Sequence, residues 1–196
     1  MGPAAEGETA VTESEPADRR RRLSPRALGL VAAVALVAYG ADQGTKYLVE
    51  QHIPVGDTVP VIGELLQWHH VLNSGAAFSL ATGFTWVLSI VAAAVLVALI
   101  AFAPRIRSLG WATMFGLVIG GAFGNLTDRL FRPPGFGTGH VVDFIQVQFF
   151  PAIFNVADIA VVSSMGLFIL LTLRGVGLDG TRHTKPRTEA GPPDEG

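Results

Sequence analysis

The 196-residue sequence contains no cysteine, and only 15% of its residues are charged. Without cysteine the chain forms no disulfide, no thiolate zinc site and no cysteine nucleophile. Soluble domains carry roughly 25% charged residues, whereas here 49% of the residues are hydrophobic and the mean hydropathy is +0.44. The formal net charge is -2, so the chain lacks the excess of basic residues that nucleic-acid-binding proteins carry. The composition therefore indicates a membrane protein and excludes a wholly disordered chain and a nucleic-acid partner.

Four stretches are apolar over the length of about 20 residues that a transmembrane helix needs. They cover about residues 27–48, 81–103, 109–126 and 149–173. No ten-residue alternation typical of membrane barrels repeats along the chain. We therefore predict an all-α membrane protein with four transmembrane helices. Period-two alternation in residues 141–148, and a segment at 65–72 that can also be extended, predict a small extracytoplasmic β-cradle over the bundle.

The basic residues predict the orientation of the bundle. Eleven of the 14 lysines and arginines lie at one end of the spans, and only Lys46, Arg129 and Arg132 lie at the other. Since cytoplasmic loops carry the positive excess, both termini are predicted to be cytoplasmic. The loops at about 50–80 and 127–148 are then extracytoplasmic.

The two ends of the chain lack apolar periodicity. Residues 1–25 and 175–196 are predicted to be disordered cytoplasmic tails that flank a membrane domain at 26–174. The arginine run before the first span also fits a secretory or twin-arginine signal peptide. The other three spans hold the chain in the membrane in either case.

Acidic residues gather at the predicted outward ends of the spans, where charge is costly unless it is paired or hydrated. These residues are Asp42, Asp128, Asp143 and Asp158. Asp158 is predicted to lie two to three turns inside the fourth span, with Asn155 on the same face, and Asp143 precedes that span. Two carboxylates in contact share one proton, and the resulting acid and base suit water-mediated peptide hydrolysis. The alternative is two separate groups, one capping a helix and the other protonated.

Three further segments contain polar or small residues near the predicted outward ends of the spans. Asp42 and Lys46 are four residues apart and share a helix face, either as an ion pair at the interface or to orient a substrate or loop. Asn73 opens a small-residue segment that serves as a helix cap or as a polar lining. Asn125 and Arg129 also share a face, and Arg129 either snorkels to lipid phosphates or acts as an internal cation.

The third span also carries Gly116, Gly120 and Gly124 at intervals of four. Such a stripe permits the close approach of a neighbouring helix, and we predict a packing role for it.

Other chemistries find less support. The histidines are His52, His69, His70, His140 and His183, and they include no H-E-x-x-H zinc motif. His140 near Asp143 is interpreted as a loop residue rather than a metal ligand. A Ser–Lys dyad needs Lys46 beside Ser74 or Ser79, and the rhomboid-like G-x-S-G and presenilin-like G-x-G-D motifs are missing.

Two alternatives without proteolysis stay open. One is a small proton-linked transporter or channel subunit that uses Asp158 and Arg129 as charge-relay sites. It needs an aqueous path, although the inward halves of the second and fourth spans are apolar. The other is a structural scaffold, which leaves the buried acid unexplained.

Five segments in order resemble the bacterial lipoprotein signal peptidase family, signal peptidase II. They are Asp42-Gln43-Gly44-Thr45-Lys46, Asn73-Ser74-Gly75-Ala76-Ala77-Phe78, residues 120–129, Val141-Val142-Asp143-Phe144 and Phe154-Asn155-Val156-Ala157-Asp158. The resemblance covers about residues 27–173. Both tails depart from the family, as does Val161, where the family motif often has isoleucine.

The resemblance implies an intramembrane aspartyl protease without metal or cofactor, with Asp143 and Asp158 as its catalytic residues. Its substrates are prolipoproteins, cut on the N-terminal side of a diacylglyceryl-modified cysteine. The polar lining of the family matches Asp42, Lys46, Asn73, Gly121, Asn125, Arg129 and Asn155. The expected setting is the bacterial cytoplasmic membrane, with membrane lipid as a partner, the site near the outer leaflet, and a monomer as the functional unit.

Overall fold

The computed structural model describes residues 23–75 and 85–182. Within these ranges four helices are long and apolar enough to cross a membrane. They are α1 (Pro25–His52), α2 (Thr85–Phe102), α3 (Leu109–Phe131) and α4 (Val156–Leu173). A four-stranded sheet completes the fold, made of β1 (Thr58–Ile62), β2 (Leu66–Asn73), β3 (Val141–Val147) and β4 (Ile153–Phe154). The predicted architecture of four apolar helices with a small sheet is confirmed.

Helix α3 lies at the centre of the bundle and packs against the other three helices. Its glycines explain the close packing. A Cβ atom at Gly120 would lie 2.5 Å from the carbonyl oxygen of Ala35 on α1, and one at Gly121 would lie 2.5 Å from that of Ala157 on α4. Small residues let helix backbones approach in this way in membranes. The packing role predicted for the glycine stripe is confirmed, and Gly121 extends it to α4.

The sheet packs on one end of the bundle, which we call the sheet end. Its strands follow the order β1-β2-β3-β4 and are antiparallel, with Val71 opposite Asp143 and Ile145 opposite Phe154. Val142 and Phe144 on β3 are buried against Val49 and Ile53, where α1 ends. This packing fixes β3 beside the helix ends, and both extended segments expected from the sequence are strands.

The predicted fourth span was wrong at its start. Residues 149–155 form a turn and β4, and the helix begins only at Val156. The reason is local, because Asn155 caps the helix with a side-chain oxygen that accepts from the backbone N–H of Asp158. Asp158 therefore lies in the first turn of α4 and not two to three turns inside it.

Other boundaries also differ from the predicted spans. Helix α1 extends through residues 25–52, and α3 continues beyond 126 to Phe131, where Asp128 pairs with Arg132 four residues on. The predicted start of the second span, residues 81–84, lies outside the described residues.

The predicted C-terminal tail begins later than residue 175. Residues 175–182 form turns and a bridge between Val176 and Arg182. Trp111 on α3 donates its indole N–H to the carbonyl oxygen of Val176 at 2.9 Å, and the backbone N–H of Ser108 donates to Leu178 at 3.0 Å. These bonds tie the segment to the start of α3. The disorder predicted for 1–22 and 183–196 concerns residues outside those described.

Candidate active site

Two aspartates from different elements line one cavity at the sheet end. Asp143 lies on β3 and Asp158 lies in the first turn of α4. The cavity has a volume of about 410 Å³ and is otherwise lined mainly by apolar side chains, among them Phe150 and Val162. The fold therefore brings together two carboxyl groups that are 15 positions apart in the sequence.

Asn155 connects the two aspartates and is fully buried. Its side-chain amide donates to Asp143 Oδ1 at 2.7 Å, while its backbone N–H donates to Asp158 Oδ2 at 3.2 Å. In return, Asn155 Oδ1 accepts from the backbone N–H of Asp158 at 3.0 Å. This residue, expected in the polar lining, therefore orients both carboxyl groups with one side chain and one backbone group.

Two more asparagines complete the hydrogen bonding of the pair. Asn73 Nδ2 donates to Asp143 Oδ2 at 2.8 Å, and Asn125 Nδ2 donates to Asp158 Oδ1 at 2.9 Å. The remaining amide oxygen of Asn73 accepts from the N–H of Gly75 at 2.8 Å, which fixes the orientation of its amide. Each of the four carboxylate oxygens thus accepts a hydrogen bond, and a carboxylate oxygen has lone pairs left for water.

The pKa of Asp143 is raised to about 6. Burial is the largest cause, because it penalises the charged carboxylate, and the negative charge of Asp158 adds to it. Hydrogen bonds from Asn73 and Asn155 and the charge of Lys46 act in the opposite direction. Asp143 therefore holds a proton under mildly acidic conditions in which an ordinary aspartate is ionised.

This environment predicts a pH-dependent stability. Native Asp143 keeps its proton up to about pH 6, whereas an unfolded aspartate loses it near pH 3.9. The folded state binds more protons over that interval, so it loses stability as the pH rises. At about 1.36 kcal/mol per pKa unit the loss amounts to about 3 kcal/mol.

The variant Asp143→Asn does not titrate in this range. Its stability relative to wild type should therefore rise by about 3 kcal/mol between about pH 4 and about pH 8. Unfolding of both proteins in detergent at the two pH values measures this difference. A difference that is the same at both pH values contradicts the raised pKa.

A buried ion cluster is connected to the two aspartates through Asn125. Lys46 on α1 places its ammonium 2.8 Å from Asp42 and 2.7 Å from Asp128, and all three side chains are fully buried. The ammonium also donates to Asn125 Oδ1 at 3.0 Å. The shared face of Asp42 and Lys46 is confirmed. The pair lies inside the protein, however, and not at an exposed helix end.

Two members of this polar network, Asp128 and Gln43, were missing from the predicted site. Gln43 Nε2 donates to Asp42 Oδ2 at 3.0 Å and to Asp128 Oδ1 at 3.2 Å. Asp128 also accepts from Arg132 Nε at 2.7 Å. Asp128 was recognised in the sequence as an acidic residue at the end of a span, where charge is costly. That cost alone did not assign it to the site. Gln43 is uncharged and carries no such cost, and its position in the Asp42–Lys46 segment was the only signal for it in the sequence.

Arg129 lies in the last turn of α3, and its guanidinium is close to Gly75. A Cβ atom at Gly75 would meet its Nη2 atom at 3.3 Å, which places the guanidinium beside the residues that follow β2. Its charge interacts with those of Asp143 and Asp158. The Nη1 atom is buried and has no hydrogen-bond partner within residues 23–75 and 85–182. This position favours an internal cation over a side chain that snorkels to lipid phosphates.

The geometry disfavours a Ser–Lys dyad. The side-chain nitrogen of Lys46 contacts Asp42, Asp128 and Asn125, and no serine hydroxyl is among its partners in the described residues. Ser79 lies outside the described residues. Within the described parts of the chain, no group of three or more histidine and acidic side chains is placed to hold a metal ion. His140 lines a separate cavity with Glu50 and His70.

Comparison with known proteins gives consistent matches. The profile of the peptidase A8 family, described as signal peptidase (SPase) II, matches residues 34–174. A lipoprotein signal peptidase of Leifsonia xyli subsp. xyli is 56% identical over 168 residues, which are 86% of this chain and 78% of that protein. One from Mycobacterium avium is 46% identical over 155 residues, which are 79% of this chain and 85% of its own.

The fold is also similar to solved structures. A bacterial membrane enzyme determined by the in meso method at 1.9 Å resolution has a TM-score of 0.68 at 30% identity, over 74% of this chain and 94% of that one. A second, at 2.3 Å resolution, has a TM-score of 0.66 at 29% identity, over 80% and 95% of the two chains. With four apolar helices and matches across most of its length, the chain belongs to the signal peptidase II family, and it is a multi-pass membrane aspartic protease that processes lipoproteins.

Proposed function

We propose that Asp143 and Asp158 are the catalytic pair of this lipoprotein signal peptidase. In this proposal they hydrolyse the peptide bond on the N-terminal side of a diacylglyceryl-modified cysteine. One observation carries the assignment: two carboxyl groups line the same cavity, and every one of their oxygens is oriented by a hydrogen bond. Oriented carboxyl groups that share a proton supply the acid and the base that peptide hydrolysis needs.

The environment of the pair suggests which group starts with the proton. Because its pKa is raised to about 6, Asp143 is the acid and Asp158 is the base. Asp158 takes a proton from water as the water oxygen attacks the carbonyl carbon, and Asp143 gives its proton to the carbonyl oxygen. Asp158 then passes its proton to the leaving nitrogen while Asp143 recovers one from the diol. The C–N bond breaks, and the products are a carboxylic acid and the free amine of the lipidated cysteine.

The cavity also suggests how a lipid-anchored substrate reaches the pair. Its wall includes Ile159 and Val162 on α4, which are 45% and 66% exposed. Exposed apolar residues on a membrane-crossing helix face lipid, so the substrate enters sideways from the bilayer and its acyl chains stay beside α4. Arg129, whose Nη1 atom has no partner within the described residues, is positioned to hold a backbone carbonyl of the unwound substrate.

We place the sheet end on the outer side of the bacterial cytoplasmic membrane, with both termini in the cytoplasm. The basic residues support this orientation. Only three of the 14 lysines and arginines, Lys46, Arg129 and Arg132, lie at the sheet end, and the positive excess that marks the cytoplasmic side lies at the other end. The described residues of one chain supply a hydrogen bond to each oxygen of the aspartate pair, which supports a functional monomer.

A cleavage assay tests the proposed function. Purified protein in detergent is incubated with a diacylglyceryl-modified precursor, with and without a metal chelator, and the products are sequenced. We expect a cut directly before the modified cysteine, at the same rate in both conditions. The matched control substrate carries serine in place of that cysteine and cannot be lipidated, and we expect it to stay uncut. Chelator-sensitive cleavage, or no cleavage of the lipidated precursor, contradicts the proposal.

A further inference from the structure

The buried ion cluster of Asp42, Lys46 and Asp128 is attached to the backbone beside each of the two aspartates. Asp42 Oδ1 accepts from the N–H of Ala157 at 2.9 Å, the residue before Asp158. Asp128 Oδ2 accepts from the N–H of Val142 at 3.3 Å, the residue before Asp143. Two carboxylates on α1 and α3 therefore anchor the two elements, α4 and β3, that carry the proposed catalytic pair.

Lys46 links these anchors. Its ammonium contacts both carboxylates, and its third contact is the side-chain oxygen of Asn125, whose amide donates to Asp158 Oδ1. A single buried cation thus reaches Asp158 through Asn125 and through Asp42, and reaches the strand of Asp143 through Asp128. Among the described residues the ammonium makes no hydrogen bond or ion pair with Asp143 or Asp158, so its contacts position them only through other residues, while its charge lowers the pKa of Asp143.

The packing around the cluster is built for this arrangement. A Cβ atom at Gly124 would overlap the carboxylate of Asp42, so only glycine at that position leaves room for it. Gln43 bridges the two carboxylates and also donates to the carbonyl oxygen of Gly124 at 3.2 Å. Arg132 adds a second positive charge on Asp128. The two fully buried carboxylates thus face two positive charges, as buried charges require, and Glu50 pairs with Arg132 at the exposed end of the network.

We propose that Lys46, Asp42, Asp128 and Gln43 are positioning residues that hold β3 and the first turn of α4 at the separation the reaction needs. This inference rests on the proposed function, because it assigns the cluster a role toward the Asp143–Asp158 pair. Strand β3 meets the short β4 through only two residue pairs before the chain enters α4. The cluster supplies the long-range connection that this short pairing lacks.

Asp128→Asn tests the inference, because it keeps the size of the side chain and removes the charge that anchors Val142. Misplacement of reacting groups by about 1 Å costs on the order of 100-fold in rate. We therefore expect kcat, measured per folded protein, to fall by about 10- to 100-fold while KM changes by less than about threefold. The matched control is Glu50→Gln, an acid-to-amide change at the 31% exposed end of the same ion network. It contacts neither anchor, and its kcat should equal that of wild type.

A second variant separates positioning from charge compensation. Asp128→Glu keeps the negative charge beside Lys46 and Arg132 but displaces the carboxylate by one methylene group. We expect Asp128→Glu to lower kcat by about tenfold or more. Its unfolding temperature should be closer to that of wild type than the unfolding temperature of Asp128→Asn is. The pH profile of kcat/KM should also shift in both Asp128 variants and stay unchanged in Glu50→Gln.

Parallel measurement of Asp143→Asn makes the outcomes distinguishable. If Asp143→Asn is inactive while both Asp128 variants keep the wild-type kcat and pH profile, the positioning role is overturned and the proposed function stands. Cleavage by Asp143→Asn at the wild-type rate overturns the proposed function and the positioning role together. A lower kcat in both Asp128 variants, with KM and the control unchanged, supports the inference.

Discussion

Asp143→Asn and Asp158→Asn should each reduce cleavage of a lipid-modified precursor by about 10³-fold or more, because general acid–base catalysis contributes up to about 10⁴-fold. An amide at position 158 cannot take a proton from water, and one at position 143 cannot supply a proton to the carbonyl oxygen. Both variants keep the shape of the side chain. We expect both proteins to stay folded in the membrane, and quantitative cleavage by purified protein in detergent is the measurement.

The matched control for these two variants is Asp57→Asn. Asp57 lies in the turn before β1 and is exposed, and its backbone carbonyl, not its carboxylate, accepts from the N–H of His70 at 3.2 Å. The same acid-to-amide change there should leave the cleavage rate within about twofold of wild type, as surface substitutions usually do. If Asp158→Asn cleaves as fast as Asp57→Asn, the proposed pair is wrong.

Lys46→Met should lower the free energy of unfolding by about 3–5 kcal/mol, which is the usual cost of leaving a buried charge without its partner. The variant removes the positive charge that contacts Asp42 and Asp128, two fully buried carboxylates. Among residues 23–75 and 85–182, Asp128 keeps Arg132 as a charged partner, whereas Asp42 keeps the amide of Gln43 and the backbone N–H of Ala157. Unfolding in detergent at neutral pH measures the effect.

Two further variants identify the cause of that loss. Adding Asp42→Asn to Lys46→Met removes the uncompensated charge, and we expect it to restore about half of the lost stability or more. Tyr47→Met is the matched control on α1, because Tyr47 is 61% exposed and its replacement should cost less than about 0.5 kcal/mol. The charge explanation fails if the double variant is no more stable than Lys46→Met alone.

Local patterns in the sequence predicted much of the fold. Hydropathy located the four helices, because the bilayer imposes nearly the same length on every span. Period-two alternation identified β3, and the four-residue spacing of Asp42 and Lys46 predicted their shared face. Each of these features depends on neighbours only a few positions away. The order of the short motifs also matched the family to which the chain belongs.

Helix ends were less predictable. The apolar run at 149–155 was interpreted as part of a span, but Asn155 caps α4 and the preceding residues pair with β3. Hydropathy does not distinguish an apolar strand from an apolar helix over such a short length. The capping box is a local signal that was present in the sequence, since Asn155 and Asp158 are three residues apart.

The sequence by itself determined which segments are apolar enough to cross the membrane. It also identified the polar residues whose free-energy cost near hydrocarbon implies a structural or functional role. Only the tertiary structure decided how those residues are connected. The bond from Ala157 to Asp42 joins positions 115 apart, and that from Gln43 to Asp128 joins positions 85 apart. Such contacts depend on how closely α1 and α4 approach the glycines of α3. That distance is a property of packed helices, and no local pattern in one segment encodes it.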